Sequence, residues 1–182
     1  MKGVIINHNT DYLEGLTRLF SDCDVINYEN FDEVVVDNYD FIILSGGEIN
    51  ISGENDIIKE KEYLRKTNKP LLGICLGHQI IGLLYGSDLK YNKLKEFNDI
   101  DKGFKETTIL DTKLNLYYYH KCYIDNMSDE FTTILDDYRG VNFINLMENK
   151  NRKILGIQFH PEKSQEDGIF IKNYFYKNYL KF

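Results

Sequence analysis

Residues 70–85, PLLGICLGHQIIGLLY, constrain the fold of this chain more than any other segment. PLLGI is an apolar run of strand length, and the ten residues from Leu76 to Tyr85 are long and apolar enough to make a largely buried helix. One residue, Cys75, separates the two, with Gly73 and Gly77 two places to either side. A buried strand that passes into a buried helix through a turn this tight belongs in the interior of a layered α/β fold.

The flanking sequence repeats that order. Residues 2–7 (KGVIIN), 24–28 and 40–44 (DFIIL) read as strands, with Ser45-Gly46-Gly47 ending the third. Helical spacing falls in 12–20, through Leu13, Leu16, Leu19 and Phe20, in a short stretch at 32–36, and in 55–67, where Ile57, Ile58, Tyr63 and Leu64 are the apolar positions. Strand–helix alternation implies parallel strands joined by crossovers. The second half changes character: 105–110, 114–119, 132–135, 141–146 and 153–158 read as strands with short connections. A closing helix is expected at 168–180, its apolar face carrying Ile169, Ile171, Phe175 and Tyr179. The expected fold is an open, mostly parallel α/β sheet flanked by helices, with additional antiparallel strands in the second half. The 182 residues contain no repeat or linker, which suits one domain spanning 1–182.

Composition excludes several functions. A net charge of −7 is poorly suited to nucleic acid or an anionic membrane. The longest apolar stretch is broken by Gly73, Cys75, Gly77, His78 and Gln79, so no membrane span is expected, and the N-terminus lacks the features of a secretory signal. A cytoplasmic protein is the expectation. Three widely spaced cysteines, Cys23, Cys75 and Cys122, suggest neither a disulfide framework nor a metal site. No P-loop or dinucleotide fingerprint is present, and no cofactor is expected.

Cys75 fits the pattern of a nucleophile elbow, in which glycines relieve crowding at a sharp strand-to-helix turn. The helix that follows points its first N–H groups and positive dipole end at the sulfur, and the Leu76 N–H is placed to stabilise an oxyanion. The bland alternative is a buried structural cysteine. GIQFHPE at 156–162 brings His160 to the end of a strand that Pro161 stops, and Glu162 can turn back onto the imidazole to fix its tautomer. A thiol and an imidazole at two strand C-termini stand where open α/β sheets place active sites.

Together GICLGHQ and GIQFHPE resemble the class I, triad-type glutamine amidotransferases, and the likeness spans nearly the whole chain. It implies a flavodoxin-like fold in which Cys75 attacks the side-chain amide of L-glutamine, His160 moves protons and Glu162 orients His160. A γ-glutamyl thioester forms and is hydrolysed, and ammonia passes to a second active site. The resemblance further implies an oxyanion N–H from Gly47, in the SGGE segment where many relatives have proline at the place of Glu48. It implies that Gln79 holds the α-amino or α-carboxylate end of glutamine, and that His120, in the YYYHK segment, serves binding or the interface. His78 reads as a packed, hydrogen-bonded histidine, Cys122 as structural and His8 as a surface residue. The loop 48–56 and residues 117–123 are the expected docking face.

IILSGG and GICLGHQIIGLLYG look most like the separate glutaminase subunit of GMP synthase, whose partner is an ATP-pyrophosphatase. FHPEKSQEDG instead looks like the glutaminase subunit of imidazole glycerol phosphate synthase, and Tyr119-His120 is similar to the anthranilate and aminodeoxychorismate synthase subunits. A non-catalytic regulatory module, or a cysteine peptidase or γ-glutamyl hydrolase on the same fold, stays open. In the amidotransferase reading the acceptor chemistry sits on a separate synthase subunit.

Overall fold

β-Branched residues dominate the strand that organises the molecule: β1 (Gly3–His8, GVIINH) is buried at every position. The structure is a computed structural model that describes residues 1–48, 58–91, 101–138 and 141–180. After β1 come α1 (Leu13–Leu19), β2 (Cys23–Asn27), α2 (Glu33–Val36), β3 (Phe41–Gly47), α3 (Ile58–Lys66), β4 (Leu71–Ile74) and α4 (Leu76–Leu84). The remainder holds β5 (Lys90–Tyr91), β6 (Asp101–Ile109), β7 (Thr112–His120), β8 (Cys122–Tyr123), β9 (Thr132–Tyr138), β10 (Val141–Asn149), β11 (Ile154–Ile157) and α5 (Gln165–Tyr179).

Among the described residues, seven strands form the main sheet in the order β2-β1-β3-β4-β11-β10-β9. The first five pair in parallel, and β10 pairs antiparallel with both β11 and β9. This is the expected mixed α/β architecture. The strand period of two sends alternate side chains to opposite faces. Ile5, Ile43, Leu72 and Ile74 pack on one side with Leu16 and Phe20, near α1, and with Ile171, Phe175 and Tyr179 of α5. Val4, Ile6, Ile42, Leu44 and Leu71 pack on the other with Tyr63 and Leu64 of α3 and Ile80 and Ile81 of α4. Each fully buried aliphatic or aromatic side chain contributes about 1.5–3 kcal/mol. Among the described residues no helix is long and apolar enough to cross a membrane.

β6 and β7 form a separate hairpin, and β5 pairs with β8. The two-residue loop of the hairpin is Leu110-Asp111, with φ of 54° and 60°. Positive φ at both positions matches the right-handed twist of the strands it joins. Leu110 thus belongs to the turn and not to the strand expected over 105–110.

Three further expectations are corrected. Ser45-Gly46-Gly47 does not end the third strand: β3 runs through it, because Gly47 pairs with His8 after a register shift in β1. Ile169 lies outside the apolar face of α5 and is 49% exposed, while Ile171, Phe175 and Tyr179 are buried. His8 is not on the surface but fully buried. The start expected for the third helix, at 55–57, and residues 49–56 of the acidic loop lie outside the described residues.

Candidate active site

β4 and β11 are parallel neighbours in register, Ile74 beside Ile157. Their C-terminal ends therefore release Cys75 and Gln158 side by side, with His160 two residues further on. The Cys75 N–H prolongs the ladder by donating to the Ile157 carbonyl at 2.8 Å, and the His160 N–H donates to the Tyr117 carbonyl of β7 at 2.8 Å. Both reactive side chains are thus fixed at their backbones before any side-chain contact is considered.

Cys75 sits in the turn at φ 50° and ψ −98°, a conformation costing a non-glycine residue about 1–3 kcal/mol. Packing on both sides maintains it. A Cβ on Gly77 would lie 2.4 Å from the Leu44 carbonyl oxygen, and one on Gly73 would lie 2.6 Å from the Gly77 oxygen. The glycines are demanded here by the close approach of β3, β4 and α4. Leu76 opens α4, so its N–H is among the first-turn donors that have no acceptor within the helix.

The imidazole of His160 is held at one end by Glu162, whose Oε1 lies 2.8 Å from Nδ1. The short 3₁₀ turn Pro161–Lys163 brings the carboxylate back under the ring. Ser164 supports this turn: its hydroxyl donates to the His160 carbonyl at 2.7 Å and accepts from the Tyr117 N–H at 3.0 Å. Burial opposes a charged imidazole, but the charges of Glu162 and Cys75 outweigh it and raise the His160 pKa well above its ordinary value. The arrangement suits a thiolate beside an imidazolium, with the carboxylate behind it.

A cavity of about 230 Å³ opens over these groups. Drug-sized ligands usually occupy roughly 300–1,000 Å³, so this one suits a molecule the size of an amino acid. Cys75, His160, Gly47, Leu76, Gln79 and His120 all line it. Glu162 does not; it stands behind His160. The structure thus brings all seven expected site residues into one place.

Three residues at the site were not singled out from sequence. Gln158 is fully buried, and its Nε2 lies 3.6 Å from the Cys75 sulfur. The Gln79 Nε2 donates to the Gln158 Oε1 at 3.3 Å and to the Cys122 carbonyl at 2.7 Å. The amide nitrogen of Gln79 is therefore committed to the protein, and its contribution to the cavity is as much to brace Gln158 and β8 as to meet a ligand. Tyr12 packs edge-on against His160 at 5.0 Å between ring centroids, and Lys163 lies over the Tyr12 ring at 4.9 Å. Ser164 is the third. Gln158 lies inside the GIQFHPE motif, where its position next to His160 was the only available signal.

His78, beside Gln79, points away from the cavity into the core. It is packed as expected, but neither ring nitrogen closes a well-formed hydrogen bond, and burial pushes its pKa down to about 3. Cys122 is half-buried at the cavity wall and not in the core, and burial raises its pKa.

The family model "Glutamine amidotransferase class-I" matches residues 6–178. The chain is 31% identical over 159 residues to a glutamine-hydrolyzing subunit of GMP synthase from Picrophilus torridus, covering 82% of this chain and 80% of the relative. It is 28% identical over 176 residues to the protein of the same description in Methanococcoides burtonii, covering 92% and 90%. Among solved structures, a Thermoplasma acidophilum protein provisionally described as the corresponding GMP synthase subunit superimposes with a TM-score of 0.78 at 23% identity, covering 96% of this chain and 92% of that one. A glutamine amidotransferase of Thermotoga maritima gives a TM-score of 0.69 at 17% identity, covering 99% and 86%.

Proposed function

The chain belongs to the class I glutamine amidotransferases, and on that premise we propose that it is the glutaminase subunit of a GMP synthase, with Cys75, His160 and Glu162 as its catalytic triad. The observation that carries the chemistry is the Cys75–His160–Glu162 array at the floor of a cavity of amino-acid size. Support for the acceptor comes from the relatives described as glutamine-hydrolyzing GMP synthase subunits, which align over most of both chains.

In this reading the Cys75 thiolate attacks the side-chain amide carbon of L-glutamine. The oxyanion that forms is met by the N–H groups of Leu76 and Gly47, and such a donor is worth roughly 10²–10³ in rate. His160 gives its proton to the leaving nitrogen, so ammonia departs and a γ-glutamyl thioester remains on Cys75. A water molecule then loses a proton to His160 and attacks the thioester, releasing glutamate and the thiol. Glu162 keeps the imidazole in one tautomer and balances its charge. Gln79 and His120 line the wall where the α-amino and α-carboxylate groups would lie. Ammonia is delivered to a separate subunit of the ATP-pyrophosphatase type that activates xanthosine monophosphate, in a cytoplasmic heteromer. The whole chain, 1–182, acts as one glutaminase domain.

The test is Cys75→Ala in the complete complex. Glutamine-dependent GMP synthesis should vanish while synthesis from added ammonium salt persists. Loss of both would mean that the substitution breaks the complex, and retention of glutamine-dependent synthesis would remove Cys75 from the chemistry.

A further inference from the structure

Beneath the glycine end of β3 lies a polar contact that the chemistry of Cys75 does not use. The His8 Nε2 lies 3.1 Å from both carboxylate oxygens of Glu60. His8 is 0% and Glu60 2% exposed. A carboxylate taken out of water is costly unless a partner meets it, and an apolar pair of the same volume is often as stable. What a two-oxygen contact supplies beyond apolar packing is a defined ring position.

That position matters because of what the His8 backbone touches. Its N–H donates to the Ser45 hydroxyl at 2.9 Å, and that hydroxyl donates to the Gly46 carbonyl at 2.6 Å. Its carbonyl oxygen lies so close to Gly47 that a Cβ there would stand 1.9 Å away. On the opposite side, a Cβ on Gly46 would lie 2.9 Å from the His160 Cε1 and 3.6 Å from the Cys75 Cβ. The glycine pair is therefore sandwiched between His8 and the reactive groups. The β1–β3 ladder shifts register between Ile6 and His8, so regular strand pairing alone does not set the height of Gly47. Tyr28 stacks on the far side of the His8 ring at 5.9 Å, which leaves Glu60 of α3 to fix its reach.

We propose that the buried His8–Glu60 contact is a positioning device for the oxyanion hole: Glu60 fixes His8, and the His8 backbone holds the Gly47 N–H in line with Cys75. The device ties the flank of α3 to the catalytic cavity, and it rests on the reading of Gly47 as an oxyanion donor. Both residues are positioning residues and touch no substrate.

The experiment compares Glu60→Met and Glu60→Gln with the parent, each supplied with the synthase subunit. It measures kcat and KM for glutamine hydrolysis, the rate of Cys75 alkylation by iodoacetamide and the melting temperature. Alkylation forms no oxyanion, so it reports the thiol alone. Glu60→Met should lower kcat by at least about tenfold, a fraction of what losing a whole oxyanion donor costs. KM and the alkylation rate should stay near parental values. Glu60→Gln keeps an acceptor for the His8 Nε2–H and should restore most of kcat. Parental kcat in Glu60→Met overturns the inference, as does an equal fall of kcat and alkylation, which would mean a general disturbance. If Glu60→Met does not fold, His8→Gln undergoes the same comparison. A parent without glutaminase activity in the presence of the synthase subunit would sink the proposed function itself, whereas an active parent with indifferent variants sinks only the positioning role.

Discussion

Replacing His78 by methionine should make the protein less sensitive to acid, and the size of the effect follows from burial. The ring is fully enclosed between α4 and the sheet, and its pKa falls to about 3 from the ordinary 6.5. An unfolded chain therefore takes up a proton at His78 below about pH 6.5, while the folded protein refuses it until about pH 3. Stability from this group is present in full above 6.5 and is lost progressively as the pH falls toward 3. At pH 5 the loss is about 1.36 × (6.5 − 5), or about 2 kcal/mol. The figure barely changes if the folded value moves by one unit, because pH 5 stays well above it. Methionine is close in volume and carries no proton, so His78→Met should lose about 2 kcal/mol less than the parent between pH 7 and pH 5. His160, whose pKa is raised, titrates in both proteins and cancels in the difference. Urea unfolding at pH 7, 6 and 5, followed by far-ultraviolet circular dichroism, measures this directly. Parallel losses in parent and variant would refute the account, since they would mean that His78 carries its proton in the folded state.

Two further substitutions probe the site. Glu162→Gln keeps the size of the side chain but removes the charge that raises the pKa of His160. It should lower kcat by about 10²–10⁴-fold, the usual worth of acid–base assistance, and shift the alkaline limb of the pH–rate profile to lower pH. A profile of unchanged shape would take Glu162 out of the triad. Gln158→Leu removes the amide 3.6 Å from the Cys75 sulfur and should cost about tenfold in kcat, the lower end for a hydrogen bond to a charged group. Parental kcat in a well-folded Gln158→Leu protein would leave Gln158 a packing role only.

The parts of the fold that were legible in the sequence are those set by local pattern. β1, β4 and β11 are short β-branched or leucine-rich runs, and α4 follows its turn without a break, so their burial and order could be read directly. The triad was legible for the same reason: each member lies at the end of a strand within a short motif, and parallel pairing of β4 with β11 brings the two motifs together. What could not be read depends on distant partners. An Asn-His-Asn run at a strand end looks like surface, and only Glu60, 52 residues away on α3, makes His8 a core residue. Two glycines look like the end of a strand, yet β3 continues through them because the backbone of β1 approaches where a side chain would not fit. Gln79 has the position of a ligand-binding residue, but the carbonyl of Cys122, 43 residues on, already takes its amide nitrogen.

The most direct test of the central claim is covalent labelling with a glutamine-analogue electrophile such as a diazo-ketone, read by peptide mass spectrometry on the chain together with its synthase subunit. The account predicts one modification, on Cys75, suppressed by L-glutamine and absent from Cys75→Ala. Labelling of Cys23 or Cys122 in its place, or labelling of Cys75 that glutamine does not slow, would contradict it.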